Sequence, residues 1–403
     1  MEDARDHALT RRLAGAIAGT GPARPEGGAR AWVAAAERHR VHVLLAERAL
    51  EQSSVAGRQS SADGRQSERP SGVGGPASGA GGPATDRGWP ADVAASLSDM
   101  LAGAVLVDAV RHDEAVRVLS ALHAAGVRAV VFKGGALAYT VYRRPYLRPR
   151  TDTDILIAKA DLPAVERAFA ALGYARPAET SGGLITQQCH FDRTDPSGIF
   201  HAWDVHWKVV NVQAVADALT YEEIVRDASA LPALASALAP STAASLVLAC
   251  LHRVAHHGDS PNLLWLLDIH LLAGRMTAAD WPPLVTNARA RGVWAACAQS
   301  LSRARERFGT ALPPAVAVAI DEPCDDATAR FLDPGLRQID VMRADLAALP
   351  TWSARCQLVR EHVFPPAAFM AARYGVRHRV MLPWWYMRRL CAGGPKWFRR
   401  LRP

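Results

Sequence analysis

At 403 residues and 43.3 kDa, with 49% apolar residues and a mean hydropathy near zero, the chain is long enough for two or three domains, each with its own core. The net charge of +8 comes almost wholly from arginine, since lysine appears only at Lys133, Lys159, Lys208 and Lys396. Arg- and Ala-rich usage of this kind reflects composition bias as readily as an anionic partner, so charge assigns no nucleic-acid role. Dispersed cysteines without a CxxC pair exclude a disulfide scaffold, and the N-terminus carries early acids in place of an export signal. No uninterrupted run of about 18 apolar residues is present, so a cytoplasmic protein without a membrane span is expected.

In chain order, residues 1–51 carry apolar positions at helical spacing (Leu13, Ile17, then Trp32, Val41, Leu45), which predicts a helical N-terminal segment. Residues 52–88 turn to Ser, Gly, Pro and Gln, with too few large apolar groups to offset the entropy of ordering, and read as a disordered linker. A helix is predicted from about Ala91 to Ala125, with Gly126 as its cap. Next come a β-branched strand (VRAVVF), a Gly134-Gly135 break and a short helix. RPRTDTDILIA is a second strand, and Leu162 to Leu172 a helix closed by Gly173. Strands follow at about 187–193 and 199–209 around the turn Asp195-Pro196-Ser197-Gly198. Residues 89–230 therefore predict an α/β core with a mixed sheet, and residues 241–348 a helical domain with elements at 242–257, 263–273, 281–291 and 293–308. Residues 349–403 form a basic, aromatic C-terminal tail.

The chemistry concentrates in the core. Asp152 and Asp154 alternate on a strand, which puts both carboxylates on one face about 6–7 Å apart by strand rise. Paired acids at that spacing repel unless a cation lies between them, the arrangement oxygen-seeking Mg²⁺ favours. Asp204, in the strand-like FHAWDVHWKVV, is positioned to supply a third acid. Upstream, Lys133-Gly134-Gly135 joins a strand to a helix, where a bare backbone and a helix N-terminus can face a phosphate. Three acids beside such a turn suit metal-dependent nucleotidyl or phosphoryl transfer.

The residues KGGALAYTVYRRPYLRPRTDTDIL, the helix ending in LGY, and WDVHWKV resemble the uncharacterised nucleotidyltransferase branch of the polymerase beta-like nucleotidyltransferase superfamily, over about Val127 to Val210. The similarity continues more weakly through LLWLLDIHLLAG and ADWPPLV. The resemblance implies an α/β nucleotidyltransferase core with N-terminal helices and a C-terminal helical domain. It implies that Gly134 and Gly135 contact phosphate, that Asp152 and Asp154 bind metal, and that Asp204 is the third acid. The expected reaction moves a nucleotidyl group from a nucleoside triphosphate, with Mg²⁺, to an acceptor that is a small molecule, a peptide or RNA.

Around this set, Lys133 either touches phosphate or is an exposed strand-end lysine, and Arg150 either steers the nucleotide or pairs with an acid. His206 and Lys208 share the expected face of Asp204 and are candidates to orient substrate, against readings as a structural histidine and a solvated lysine. His252, His256 and His257 have metal-compatible spacing but lack the glutamate of a protease motif, so they read as core-edge and capping residues. Asp268 and His270, within an apolar helix, either line the cleft or bond neighbouring helices. The tail, with Trp384, Trp385, Arg388 and Arg389, either docks on the domain, lies on a membrane surface or binds RNA. Two other function classes fit the same residues: a non-catalytic adaptor that keeps the fold to bind a peptide or RNA, and a phosphotransferase that moves the terminal phosphoryl group.

Overall fold

The computed structural model describes residues 2–21, 28–63, 89–178, 183–376 and 378–400. They fall into two compact units, Met1–Leu106 and Val107–Pro403. In the first, α1 (Glu2–Ala18), α2 (Ala29–Arg38) and α3 (His42–Asp63) precede α4 (Ala91–Ala124), which continues into the second unit. Ala46 and Ala49 of α3 pack with Val93 and Leu97 of α4, and Arg30 pairs with Asp92 at 2.9 Å. Helix α3 runs to Asp63, inside the stretch whose composition predicts a linker; residues 64–88 of that stretch lie outside the described residues.

Among the described residues the second unit is built on six strands: β1 (Val130–Phe132), β2 (Thr153–Leu156), β3 (Gln188–Thr194), β4 (Phe200–His206), β5 (Ser229–Ala230) and β6 (Leu238–Ala239). Their spatial order is β3-β4-β2-β1-β6-β5, with β2 parallel to β4 and β1 parallel to β6, the remaining pairs being antiparallel. The sheet is thus mixed, as the sequence predicts. One face carries Val131, Ile155, Cys189, Phe191, Trp203 and Val205, which pack on Val118, Leu119 and Leu122 of α4. Val165 and Phe169 of α6 (Leu162–Ala171) close the same core. Because side chains alternate along strands, the intervening residues face the other way, and these include Asp154, Asp204 and His206.

Among the described residues, α4 alone is long and apolar enough to cross a membrane by length and composition. Val118 and Leu122 are fully buried in the sheet's core, and the buried Glu114 accepts from Tyr174 at 2.6 Å. That half of the helix is a core element.

Helix α5 (Lys133–Thr140) follows β1 directly, and α7 (Tyr221–Arg226) precedes the β5–β6 pair. The chain then turns helical: α8 (Thr242–Leu251), one π-helical turn at His252–His256, α9 (Leu263–Ala273), α10 (Trp281–Ala290), α11 (Trp294–Phe308) and α12 (Pro314–Ala319). Ser241 and Asn262 cap α8 and α9 by accepting from Ala244 N and Leu264 N. Further helices follow among the described residues: α13 (Gln338–Ala348), α14 (Trp352–Val363), α15 (Ala367–Tyr374) and α16 (Leu382–Trp397).

Glu361 ties α14 to the core by accepting from the backbone amides of Gly183, Leu184 and Ile185 at 3.0, 3.0 and 3.1 Å. Burial opposes its ionisation, but Gln357 and these amides outweigh that and lower its pKa. Glu361→Ala is expected to cost about 1–3 kcal/mol at pH 7, because three amides lose their acceptor. A depressed folded pKa gives stability that is present above the unfolded value of about 4.3 and is lost as pH falls through the folded value. Urea unfolding should therefore show the gap between wild type and variant narrowing at acid pH.

Candidate active site

Strand register assembles the site. Phe132 faces Asp154 across β1–β2, Asp154 faces Asp204 across β2–β4, and Asp204 faces His190 across β3–β4, so four strands contribute to one row. Asp154, Asp204 and His206 offer ligand atoms that all lie within 4.8 Å of one another. Asp154 and His206 are buried, and Asp204 is half-buried.

Each acid is held. Lys133 Nζ donates to Asp154 Oδ1 at 2.7 Å, and His206 Nε2 lies 3.0 Å from the same oxygen. His206 also packs edge-on against Phe132, 5.0 Å between ring centroids. Burial alone would favour the neutral acid at Asp154, but the charge of Lys133 and the bond to His206 outweigh it, leaving the carboxyl well below the usual range. Burial and then Lys133 shift His206 down, which favours the neutral imidazole, while Asp154 opposes them. Asp204 Oδ1 meets His190 Nδ1 at 2.7 Å, and its Oδ2 accepts from Gln188 Nε2 at 3.3 Å.

Asp152 sits one residue ahead of β2, half-buried and outside the group within 4.8 Å. It remains in electrostatic reach: burial first, then the charges of Asp154 and Asp204, raise its pKa, and Lys133 opposes them. A carboxyl raised by two like neighbours is one that a cation would stabilise in its ionised form.

The strand–helix junction differs in detail from a glycine turn. The residue in left-handed conformation is Lys133, at φ 50°, while Gly134 and Gly135 lie in the first turn of α5. Non-glycine residues adopt that conformation at a cost of about 1–2 kcal/mol, and here it accompanies the ammonium's contact with Asp154. The close approach that glycine permits is used by protein groups: a Cβ on Gly134 would lie 3.2 Å from the Arg148 guanidinium, and one on Gly135 would lie 3.0 Å from Val131 Cγ1. Gly135→Ala sets an overpacking cost of about 1–3 kcal/mol against a helix gain of about 0.5–1 kcal/mol; a lowered unfolding midpoint is expected because the contact is with a core side chain, Val131. The first-turn amides keep their outward donor capacity, since helix N-termini have no intrahelical acceptor for them.

Arg148 is itself fixed. Its Nε and Nη2 each donate to Asp268 of α9 at 2.8 Å, and Tyr142 Oη donates to the same carboxylate at 2.8 Å, all three residues being buried. Asp268 thus bonds the core to the helical region. His270 meets Thr310 Oγ1 at 2.9 Å.

Arg150 is taken up by Asp108 at 2.8 Å and by the Tyr139 hydroxyl at 3.3 Å, so the structure gives it the acid-pairing role. Lys208 lies beyond the end of β4 and pairs with Asp217 at 2.8 Å, which places its ammonium off the row of acids because strand alternation has ended. Residues that the sequence did not single out complete the row. His190 and Gln188 support Asp204, and their signal is the hairpin itself once Ile199 is counted into the turn: four steps back from Thr194 and four on from Phe200 set His190 opposite Asp204.

The π-helical turn brings further groups to the same region. His252, His256 and His257 cluster with centroid separations of 4.5–5.4 Å, and His257 stacks on Trp265 at 4.2 Å. Burial, then the charges of Lys133, His257 and His206, push His256 down to about 4. Burial and Lys133 likewise hold His252 well below its ordinary value. These imidazoles therefore lie within electrostatic reach of Lys133 and Asp154, and π-turns frequently occur at functional sites.

A mixed sheet carrying two register-matched aspartates beside a strand–helix junction is a nucleotidyltransferase core. Residues 25–309 match a family described as "Uncharacterised nucleotidyltransferase", and the chain belongs to it. No curated protein matches the chain.

Proposed function

We propose that the protein transfers a nucleotidyl group from a nucleoside triphosphate to an acceptor hydroxyl or phosphate, with Mg²⁺ bound at Asp154 and Asp204 and with Asp152 beside them. The observation that carries this reading is the register match of Asp154 with Asp204, which brings two carboxylates and the His206 imidazole within 4.8 Å. The two carboxylates fit a hard divalent cation, whose preferred ligands are carboxylate oxygens; Asp152, raised by burial and then by its acidic neighbours, would be favoured in its ionised form by one. When bound, the cation neutralises phosphate oxygens.

The chain's own residues do the rest. Lys133 neutralises Asp154 and stands ready to face a phosphate oxygen, and the Gly134 and Gly135 amides offer donors at the start of α5. Asp204, steadied by His190 and Gln188, takes the acceptor's proton as the acceptor oxygen bonds to the α-phosphorus. The bond from the α-phosphorus to the bridging oxygen breaks, and pyrophosphate leaves. His206 holds Asp154 in place.

Incubation with α-labelled and γ-labelled nucleoside triphosphates tests the proposal. Mg²⁺-dependent transfer of the α-label with pyrophosphate release is expected. Transfer of the γ-label with release of diphosphate would replace it with phosphotransfer, and partner binding without turnover would replace it with an adaptor role.

A further inference from the structure

Helix α16 is docked by one face only. Tyr386 Oη donates to Pro365 O at 2.6 Å, Trp385 stacks on Tyr374 at 5.2 Å, the Arg389 guanidinium lies 5.7 Å from the Phe369 ring centroid, and Trp397 packs beside Leu358 and Met342. The opposite face is also apolar yet bare: Val380 is 84% exposed, Met381 45%, Trp384 51% and Met387 61%. Residues 380, 384, 387 and 391 follow helical spacing, so they make one stripe on the helix and the short turn before it. Arg388 borders the stripe, its guanidinium 5.7 Å from the Trp384 ring centroid. Phe398, 65% exposed, extends the patch past the helix end.

Two properties of this surface must be matched together. A contiguous exposed apolar stripe calls for an apolar partner. The sequence around it calls for an anionic one, because nine Arg and Lys residues and no Asp or Glu follow Glu361. A nucleic acid would answer the cations and the tryptophan but leave Val380, Met381 and Met387 in water. A second copy of the chain would set like charge against like charge.

We propose that the outward face of α16 is a peripheral membrane-docking surface for an anionic lipid bilayer. Val380, Met381, Trp384 and Met387 enter the acyl boundary, and Arg388 at their border meets the headgroup phosphates. The helix lies along the interface, held to the protein by its inner face.

Flotation of the full-length protein with lipid vesicles tests this. Binding is expected to vesicles containing phosphatidylserine, to fall as salt rises, and to be weak on pure phosphatidylcholine. Trp384→Ser/Met387→Ser should lower the partition coefficient at least about tenfold, with a urea midpoint close to that of wild type because both side chains are more than half exposed. Arg388→Glu should weaken binding mainly at low salt. Absence of binding to anionic vesicles, or equal binding by a double variant that folds normally, would overturn the proposal. Binding of single-stranded RNA without vesicle binding would reassign the face to nucleic acid, and dimerisation lost in the double variant would reassign it to a second copy.

Discussion

Asp204→Asn is expected to lower nucleotidyl transfer on the order of 10²–10⁴-fold, the range for loss of a positioned proton acceptor, while leaving the fold intact. Asparagine keeps the shape: its oxygen can accept from Gln188 Nε2 and its amide can donate to His190 Nδ1 in the Nε2-protonated tautomer, so the half-buried side chain keeps both neighbours. What it loses is the negative charge and the capacity to accept a proton. Asp154→Asn is a less clean probe. There the carboxylate offsets a Lys133 ammonium 2.7 Å away in a largely buried setting, and removing one partner of a buried pair costs about 3–5 kcal/mol. The two variants should therefore separate: similar loss of turnover, but a lowered thermal midpoint only for Asp154→Asn. Assays with α-labelled triphosphate alongside thermal unfolding would show this. Turnover unchanged in Asp204→Asn would remove Asp204 from the chemistry, and a shared large fall in midpoint would make both acids structural.

Much of this arrangement was legible because β-structure converts spacing into position. Asp154 and Asp204 each sit in a strong apolar strand pattern; β4 formed within 199–209, while β2 is shorter than RPRTDTDILIA and leaves Asp152 one residue ahead of it. The glycines were legible as a junction but not in their use, since nothing local announces that a guanidinium from residue 148 will occupy the space above Gly134. Strands β5 and β6 escaped notice because two residues each are too few to alternate. The π-turn at His252–His256 was likewise hidden: its sequence continues the helical pattern of α8, and only packing decides where a helix widens. Long-range electrostatics was the least legible feature, because the charge that Lys133 exerts on His256 depends on how α5 and α8 pack.

Asp268 shows how far such long-range pairing can matter. In LLWLLDIHLLA it is an acid within an apolar helix, and an acid in that setting needs a cation or a donor set. Both are supplied from about 120 residues earlier by Arg148 and Tyr142. Asp268→Ala is expected to cost about 3–5 kcal/mol, because it strands a buried guanidinium and a buried phenol. Asp268→Leu/Arg148→Met should recover much of that loss, since apolar replacement of a whole buried pair is often neutral, short of about 1–3 kcal/mol for the Tyr142 hydroxyl that it still strands. A double-mutant cycle in urea would measure the coupling. A single substitution within about 0.5 kcal/mol of wild type, the range of ordinary surface changes, would refute the structural role. Stability and activity should then part company. The double variant also removes the guanidinium packed against Gly134, leaving the first turn of α5 and the Lys133 contact with Asp154 less constrained. Transfer is therefore expected to stay low after folding recovers, which distinguishes a pair that positions the strand–helix junction from one that only holds two halves of the unit together.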